Sequence, residues 1–251
     1  MTDIGATQDM TQCASTFANG RVRFHSHPDP DTWRDVAAAD IADALRHALR
    51  VHERARLLLS GGGTPAPVYR SLAQAELDWQ RVDVALIDER WLQPDDPDSN
   101  ARLVRENLLR DRATDANFQA LTRAGQTIDD AVRSANLHAH HAANVVVLGM
   151  GEDGHTASLF PRMLDLDIAV QASSAYVAVD ASGCPGAGRY SRRISLTPYG
   201  LAPARTRLLL ICGQLKRTVF ERAVNGNDVL ELPIRLAFTT PGAILQVHWT
   251  P

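Results

Sequence analysis

Short apolar runs recur along this chain, and each is closed by glycines or by charged residues. Leu57-Leu58-Leu59, Val82 to Ile87, Val145 to Leu148, Arg207 to Ile211 and Ala243 to Trp249 are largely apolar stretches of strand length. Runs this short, apolar almost throughout, predict strands buried on both faces. Arg21 to Phe24 and Tyr176 to Val179 predict two more. Between the runs the spacing changes. Val36, Ile41, Leu45 and Leu49 fall on one side of a helix over Asp31 to Arg50. Further helices are predicted from Pro65 to about Ala75, Asn100 to Leu109, 128 to 141, and Leu215 to Val224. Thr64-Pro65 reads as a helix start, a cap residue followed by proline in the first turn. Strands that alternate with helices imply an α/β protein: a three-layer, Rossmann-like fold with a largely parallel central sheet flanked by helices. Residues 1–20 are small and polar and are expected to form a loose tail, with 21–251 as a single α/β domain.

In such sheets ligands bind beyond the carboxyl ends of the strands. Four polar loops occupy those ends: Ser60 to Thr64, Asp88 to Arg90, Gly149 to His155, and Gly213 to Lys216. The first, Ser60-Gly61-Gly62-Gly63-Thr64-Pro65, suits an anion cradle, because glycine backbone can bring its amides close to a phosphate. Asp88 and Arg90 point to one side if the strand continues through them. Asp153 and His155 flank a glycine, and His155 is the best candidate general base.

Composition sharpens one residue. Lys and Arg total 26, of which 25 are arginine; the lone lysine is Lys216. Where guanidinium serves almost everywhere, one retained ammonium on a strand-end loop points to a ligand. Arg193 could add a second cation to the same anion.

Other readings fall away. Gly149-x-Gly151-x-x-Gly154 follows a predicted strand and matches a dinucleotide fingerprint. Pro161 leaves little room for its helix, and Asp180 lies beyond the usual spacing of about 20 residues to a ribose-binding carboxylate. No lysine directly follows the glycines of 61–63, as a nucleotide-hydrolysing loop requires, and no G-x-S-x-G elbow is present. His138, His140 and His141 lack the cysteines or carboxylates that would complete a metal site. Cys13, Cys184 and Cys212 are scattered, which suits reduced thiols and a cytoplasmic protein. A net charge of -3 argues against nucleic acid, and no apolar run approaches a membrane span of about 20 residues. The first residues lack the basic start and apolar core of a signal peptide.

Taken together, LLLSGGGTPAPVYRSLA, VDVALIDERW with PDSNARLVRENLL, NVVVLGMGEDGHTASLFP, RISLTPYGLAPARTRLLLICGQLKRTVFERAV and PIRLAF resemble, in order, the motifs of the 6-phosphogluconolactonase family. The related glucosamine-6-phosphate deaminases share the glycine loop, D-G-H and the late lysine. They follow D-G-H with an I-A-F-N-E-P type segment and carry D-E-Y where this chain has Asp88-Glu89-Arg90. The resemblance implies hydrolysis of 6-phosphoglucono-δ-lactone in the oxidative pentose phosphate pathway. It implies no metal or organic cofactor, and a small sugar-phosphate lactone as partner; nucleic acid and membrane are not expected partners, and a monomer is expected. His155 would activate water, with Asp153 orienting it. Gly62, Gly63, Thr64, Arg193 and Lys216 would hold the phosphate. Asp88, Arg90 and Asn100 would position the sugar and stabilise oxyanion charge. Family members commonly carry a lysine- and proline-rich segment before the R-I-T-L-T motif. Here Gly186 to Arg193 has neither, which leaves Arg189 and Arg192 as alternatives to Arg193. A deaminase or isomerase of amino-sugar phosphates and a non-catalytic sugar-phosphate sensor are the competing readings.

Overall fold

The computed structural model describes residues 14–251. In chain order the strands and helices are β1 (Ala14–Phe17), β2 (Val22–Ser26), α1 (Pro30–Val51), β3 (Ala55–Leu59), α2 (Ala66–Leu72), β4 (Val82–Leu86), β5 (Asp88–Arg90), α3 (Asn100–Asn107), β6 (Asn117–Gln119) and α4 (Ile128–His138). They continue with β7 (Val145–Leu148), α5 (Leu166–Gln171), β8 (Tyr176–Asp180), β9 (Arg192–Leu196), α6 (Pro198–Leu201), β10 (Thr206–Cys212), α7 (Gln214–Val224), α8 (Leu236–Thr239) and β11 (Leu245–Thr250).

Eight strands form the main sheet in the order β1-β2-β11-β10-β7-β3-β4-β6. Every neighbouring pair in it is parallel except β1 with β2. The apolar runs occupy its centre, and every residue of β3 and β7 is buried. Helices cover both faces. Phe24 meets Phe220 of α7, whereas its neighbour His25 stacks on His248, which meets Asp40 of α1. Adjacent strand residues face opposite ways, so α7 and α1 lie on opposite sides. α1 starts on Asp29, whose carboxylate accepts from the Thr32 N–H at 2.8 Å.

From β3 the chain proceeds to β4 on one side. From β7 it proceeds to β10 and β11 on the other. Because β3 and β7 are neighbours, their carboxyl ends frame the point where the direction of winding reverses, the usual ligand crevice of such sheets.

Several expectations need correction. Of the expected tail, residues 1–13 lie outside the described residues, but Ala14–Phe17 pair antiparallel with β2 as an edge strand. Thr64 does not cap a helix: the helix starts after Pro65 and has no side-chain cap. Arg192 and Arg193 open β9. That strand is the middle of a second, antiparallel sheet, β5-β9-β8, which periodicity did not predict. As Pro161 leads one to expect, the glycines at 149, 151 and 154 open no helix, and the next one begins only at Leu166.

Candidate active site

At the switch point the carboxyl ends of β10, β7, β3 and β4 open into a cleft of about 230 Å³. Its wall includes Gly62, Gly63, Thr64, Asp88, Arg90, Asn100, His155, Arg193 and Lys216. Four loops far apart in sequence thus meet because the sheet order places their strands side by side.

The glycine loop departs from β3. Gly62 has φ +89, a left-handed conformation that disfavours any side chain. Gly61 is required for another reason: a Cβ there would collide with the side chain of Asn100. The N–H groups of Gly61 to Thr64, residues that line the cleft, donate to no acceptor among the described residues. Lys216, in the first turn of α7, reaches across and donates to Thr64 Oγ1 at 3.4 Å. With the hydroxyl released from capping, lysine and threonine meet beside those amides.

The acidic motif alternates as extended backbone must. Asp88 and Arg90 line the cleft, and Glu89 points away into full burial. The Glu89 carboxylate accepts from the N–H groups of Arg90, Asn100 and Ala101 at 2.9, 2.8 and 2.7 Å. It therefore holds the first turn of α3 and, with it, Asn100. Burial is the largest influence on this carboxyl and pushes its pKa up to about 7, against the pull of the three N–H donors. The Asn100 amide donates to the Asp88 carbonyl at 2.9 Å and leaves its own Oδ1 buried beside Gly61 without a protein partner. Arg90 donates to the Asp98 carbonyl at 2.6 Å.

His155 ends a tight turn. Gly154 has φ +85, its N–H donates to the Gly151 carbonyl at 3.0 Å, and the Gly151 N–H donates to the His155 carbonyl at 3.0 Å. Asp153 is not part of the cleft wall but stands behind the imidazole. Its Oδ1 lies 2.6 Å from His155 Nδ1 and accepts from the His155 N–H at 3.1 Å. Burial alone would raise the Asp153 carboxyl. The hydrogen bond and charge attraction of His155 outweigh it, so the pKa lies below the usual carboxylate range. Phe160 packs on the imidazole with ring centroids 4.3 Å apart. The ionised carboxylate fixes Nδ1 as the donor, leaving Nε2 to act as a base.

Arg193 is almost wholly buried on β9. It donates to the carbonyls of Tyr190 and Ala187 at 2.8 and 2.7 Å and lies 5.0 Å from the Phe160 ring centroid. Its Nη1 also reaches Ser158 Oγ at 3.3 Å, and that hydroxyl donates to Asp88 at 2.7 Å. Ser158 thus couples the cleft's carboxylate to its buried guanidinium. Burial lowers the Arg193 pKa from its ordinary value, opposed by attraction to Asp88. The alternatives lie outside the cleft wall. Arg192 is exposed, and Arg189 pairs with Asp98 on the surface. His138 binds the Ser134 carbonyl, while His140 and His141 line a different cavity.

Sequence reasoning missed Glu89, Ser158 and Phe160. Glu89 was detectable from its alternation with Asp88 and Arg90. The contacts of Ser158 and Phe160 depend on β9, which no periodic pattern signalled.

An α/β sheet with this switch-point cleft belongs to the class of Rossmann-like proteins that hold small ligands at strand ends. A family model described as glucosamine-6-phosphate isomerases/6-phosphogluconolactonase matches residues 28–249, and the chain belongs to that family. A 6-phosphogluconolactonase of Xylella fastidiosa is 48% identical over 233 residues, covering 92% of this chain and 97% of its own. One from Pseudomonas aeruginosa is 38% identical, covering 85% and 89%. The crystal structure of a 6-phosphogluconolactonase from Shewanella baltica superposes with a TM-score of 0.86 at 32% identity, covering 94% of this chain and all of that one.

Proposed function

We propose that this protein hydrolyses 6-phosphoglucono-δ-lactone to 6-phosphogluconate, a step of the oxidative pentose phosphate pathway, with His155 as general base. The observation that carries the assignment of the base is the 2.6 Å contact of Asp153 with His155 Nδ1 on the wall of the cleft. Identity with relatives named for the lactonase supports the substrate.

The lactone's phosphate occupies the side of the cleft formed by Gly62, Gly63, Thr64 and Lys216, where unpaired amides and an ammonium offer charge-assisted hydrogen bonds. Arg193 adds positive potential from beneath, with three of its five N–H groups already committed to the protein. Asp88 accepts from sugar hydroxyls. His155 Nε2 takes a proton from water as the water oxygen bonds to the lactone carbonyl carbon. Arg90 faces the negative charge that develops on the carbonyl oxygen, while Asn100, whose N–H₂ donates to Asp88, holds that carboxylate toward the sugar. When the ring C–O bond breaks, the imidazolium returns the proton to the departing ring oxygen; the carboxylic acid so formed releases the second water proton to solvent, and the product leaves as a carboxylate. Asp153 stabilises the imidazolium between these steps.

The test is hydrolysis of freshly generated lactone, corrected for spontaneous opening, beside ammonia release from glucosamine 6-phosphate. Acceleration of the first without the second is expected. Ammonia release without lactone hydrolysis would assign the cleft to the isomerase and deaminase branch, and neither activity would favour a sugar-phosphate sensor.

A further inference from the structure

The four strands that deliver the cleft at their carboxyl ends begin at a second cavity, of about 570 Å³, on the opposite edge of the sheet. Its lining includes Arg54, Arg56, Arg205, His52, His140 and His141. These come from the start of β3, the approach to β10, the end of α1 and the segment between α4 and β7. We propose that this cavity is a binding site for a compact polyanion of the phosphate class.

The lining carries two acids, Asp83 and Glu53, against three guanidinium groups. Asp83 and Arg54 neutralise each other through two hydrogen bonds of 2.7 and 2.9 Å, Asn117 donates to Asp83 at 2.7 Å, and Arg54 spends Nη1 on the Gln80 carbonyl at 3.1 Å, which leaves Arg56 and Arg205 as the cations for a ligand. Glu53 is exposed at the rim. Arg205, whose backbone N–H donates to the Ala143 carbonyl, makes no side-chain hydrogen bond or ion pair among the described residues. Arg56 is nearly buried and commits Nη1 to the His138 carbonyl, one of five guanidinium donors. Asn144 accepts from the Arg56 N–H at 2.8 Å, which orients its carboxamide oxygen inward and leaves its N–H₂ as a further donor. Arg56, Arg205 and Asn144 thus bring uncommitted donors to the lining from three separate strand starts, a donor set suited to tetrahedral oxyanions. The volume lies within the range of about 300–1,000 Å³ typical of small-ligand pockets.

The site is separate from the cleft. β3 has five residues, which at about 3.3 Å each sets the two openings roughly 17 Å apart. His140 and His141 stand beside these arginines in the lining.

The probe is inorganic pyrophosphate, titrated calorimetrically into the full chain. In Lys216→Ala, which removes the ammonium of the cleft, binding is expected to persist. In the double variant Arg205→Ala/His141→Ala, with Lys216→Ala also present, affinity should fall at least tenfold. With Lys216 intact, Arg205→Ala/His141→Ala should retain unaltered basal turnover, since neither residue lines the cleft. Removing two exposed arginines elsewhere, Arg50→Ala/Arg123→Ala, should leave affinity intact. No binding in Lys216→Ala, unchanged affinity in the Arg205/His141 variant, or an equal loss in the Arg50/Arg123 control would overturn the proposal. Tighter binding of citrate than of pyrophosphate would overturn the phosphate class.

Discussion

Which ring nitrogen of His155 carries the proton is decided by one oxygen of Asp153. An aspartate can only accept at Nδ1, so the lone pair sits on Nε2. Asparagine is nearly the same size but can present N–H instead, reversing the tautomer. Asp153→Asn is therefore expected to lower kcat by about 10²–10⁴-fold while changing KM little, since phosphate contacts lie elsewhere. Steady-state kinetics on the lactone checks this, and a variant with undiminished kcat would remove Asp153 from the proposed mechanism. His155, Asp153 and Lys216 could all be picked out of the sequence because each was chemically conspicuous: an acid and an imidazole between glycines, and a single lysine among 25 arginines. Ser158 could not. A serine has no distinguishing pattern, and its contacts with Asp88 and Arg193 exist only after three segments have folded together.

Glu89 joins two elements, β5 and α3, by accepting from three backbone N–H groups at their junction. Glutamine would preserve one acceptor oxygen and turn an N–H₂ toward a backbone donor. Glu89→Gln should cost about 1–3 kcal/mol at low pH, the usual consequence of leaving a buried polar group unsatisfied. Its pH dependence has a definite sign. The folded pKa of about 7 exceeds the ordinary glutamate value of 4.5, so the native state holds this proton more tightly than the unfolded chain. Wild-type stability relative to Glu89→Gln should therefore decline as pH rises from about 4.5 through 7. Urea midpoints across that range test the point, and a constant difference would contradict it. The long parallel strands and α1 were readable because runs of buried apolar residues and helical spacing persist over several positions. β5, β6 and β9 were not: two are three residues long, and β9 carries Arg192 and Arg193 at its start. Tertiary pairing, and not local pattern, defines them.

At the scale of the whole molecule, one contribution to acid sensitivity comes from a buried imidazole stack on the far side of the sheet from α7. His27 and His248 are almost fully buried, their facing nitrogens are 3.2 Å apart, and His25 stacks on His248. Burial, followed by repulsion from His248 and His25, lowers the His27 pKa from 6.5 to about 4, although Asp40 and Asp29 pull the other way. A lowered folded pKa means the unfolded chain takes up the proton first, so stability is lost as pH falls from about 6.5 to 4. His27→Asn should lose less over that interval in urea titrations, and a parallel loss would contradict the assignment. This stack was invisible in sequence, because His25, His27 and His248 are brought together only when β2 pairs with β11. The fold's larger plan was not hidden, since alternating strands and helices dictated where the polar loops would gather. In the proposed mechanism His155 is the base at that gathering point. The decisive measurement is lactone hydrolysis by His155→Ala beside calorimetric binding of 6-phosphogluconate to the same variant. The prediction is a loss of turnover of about 10²–10⁴-fold with ligand binding largely retained. Undiminished turnover, with the variant folded, would contradict it.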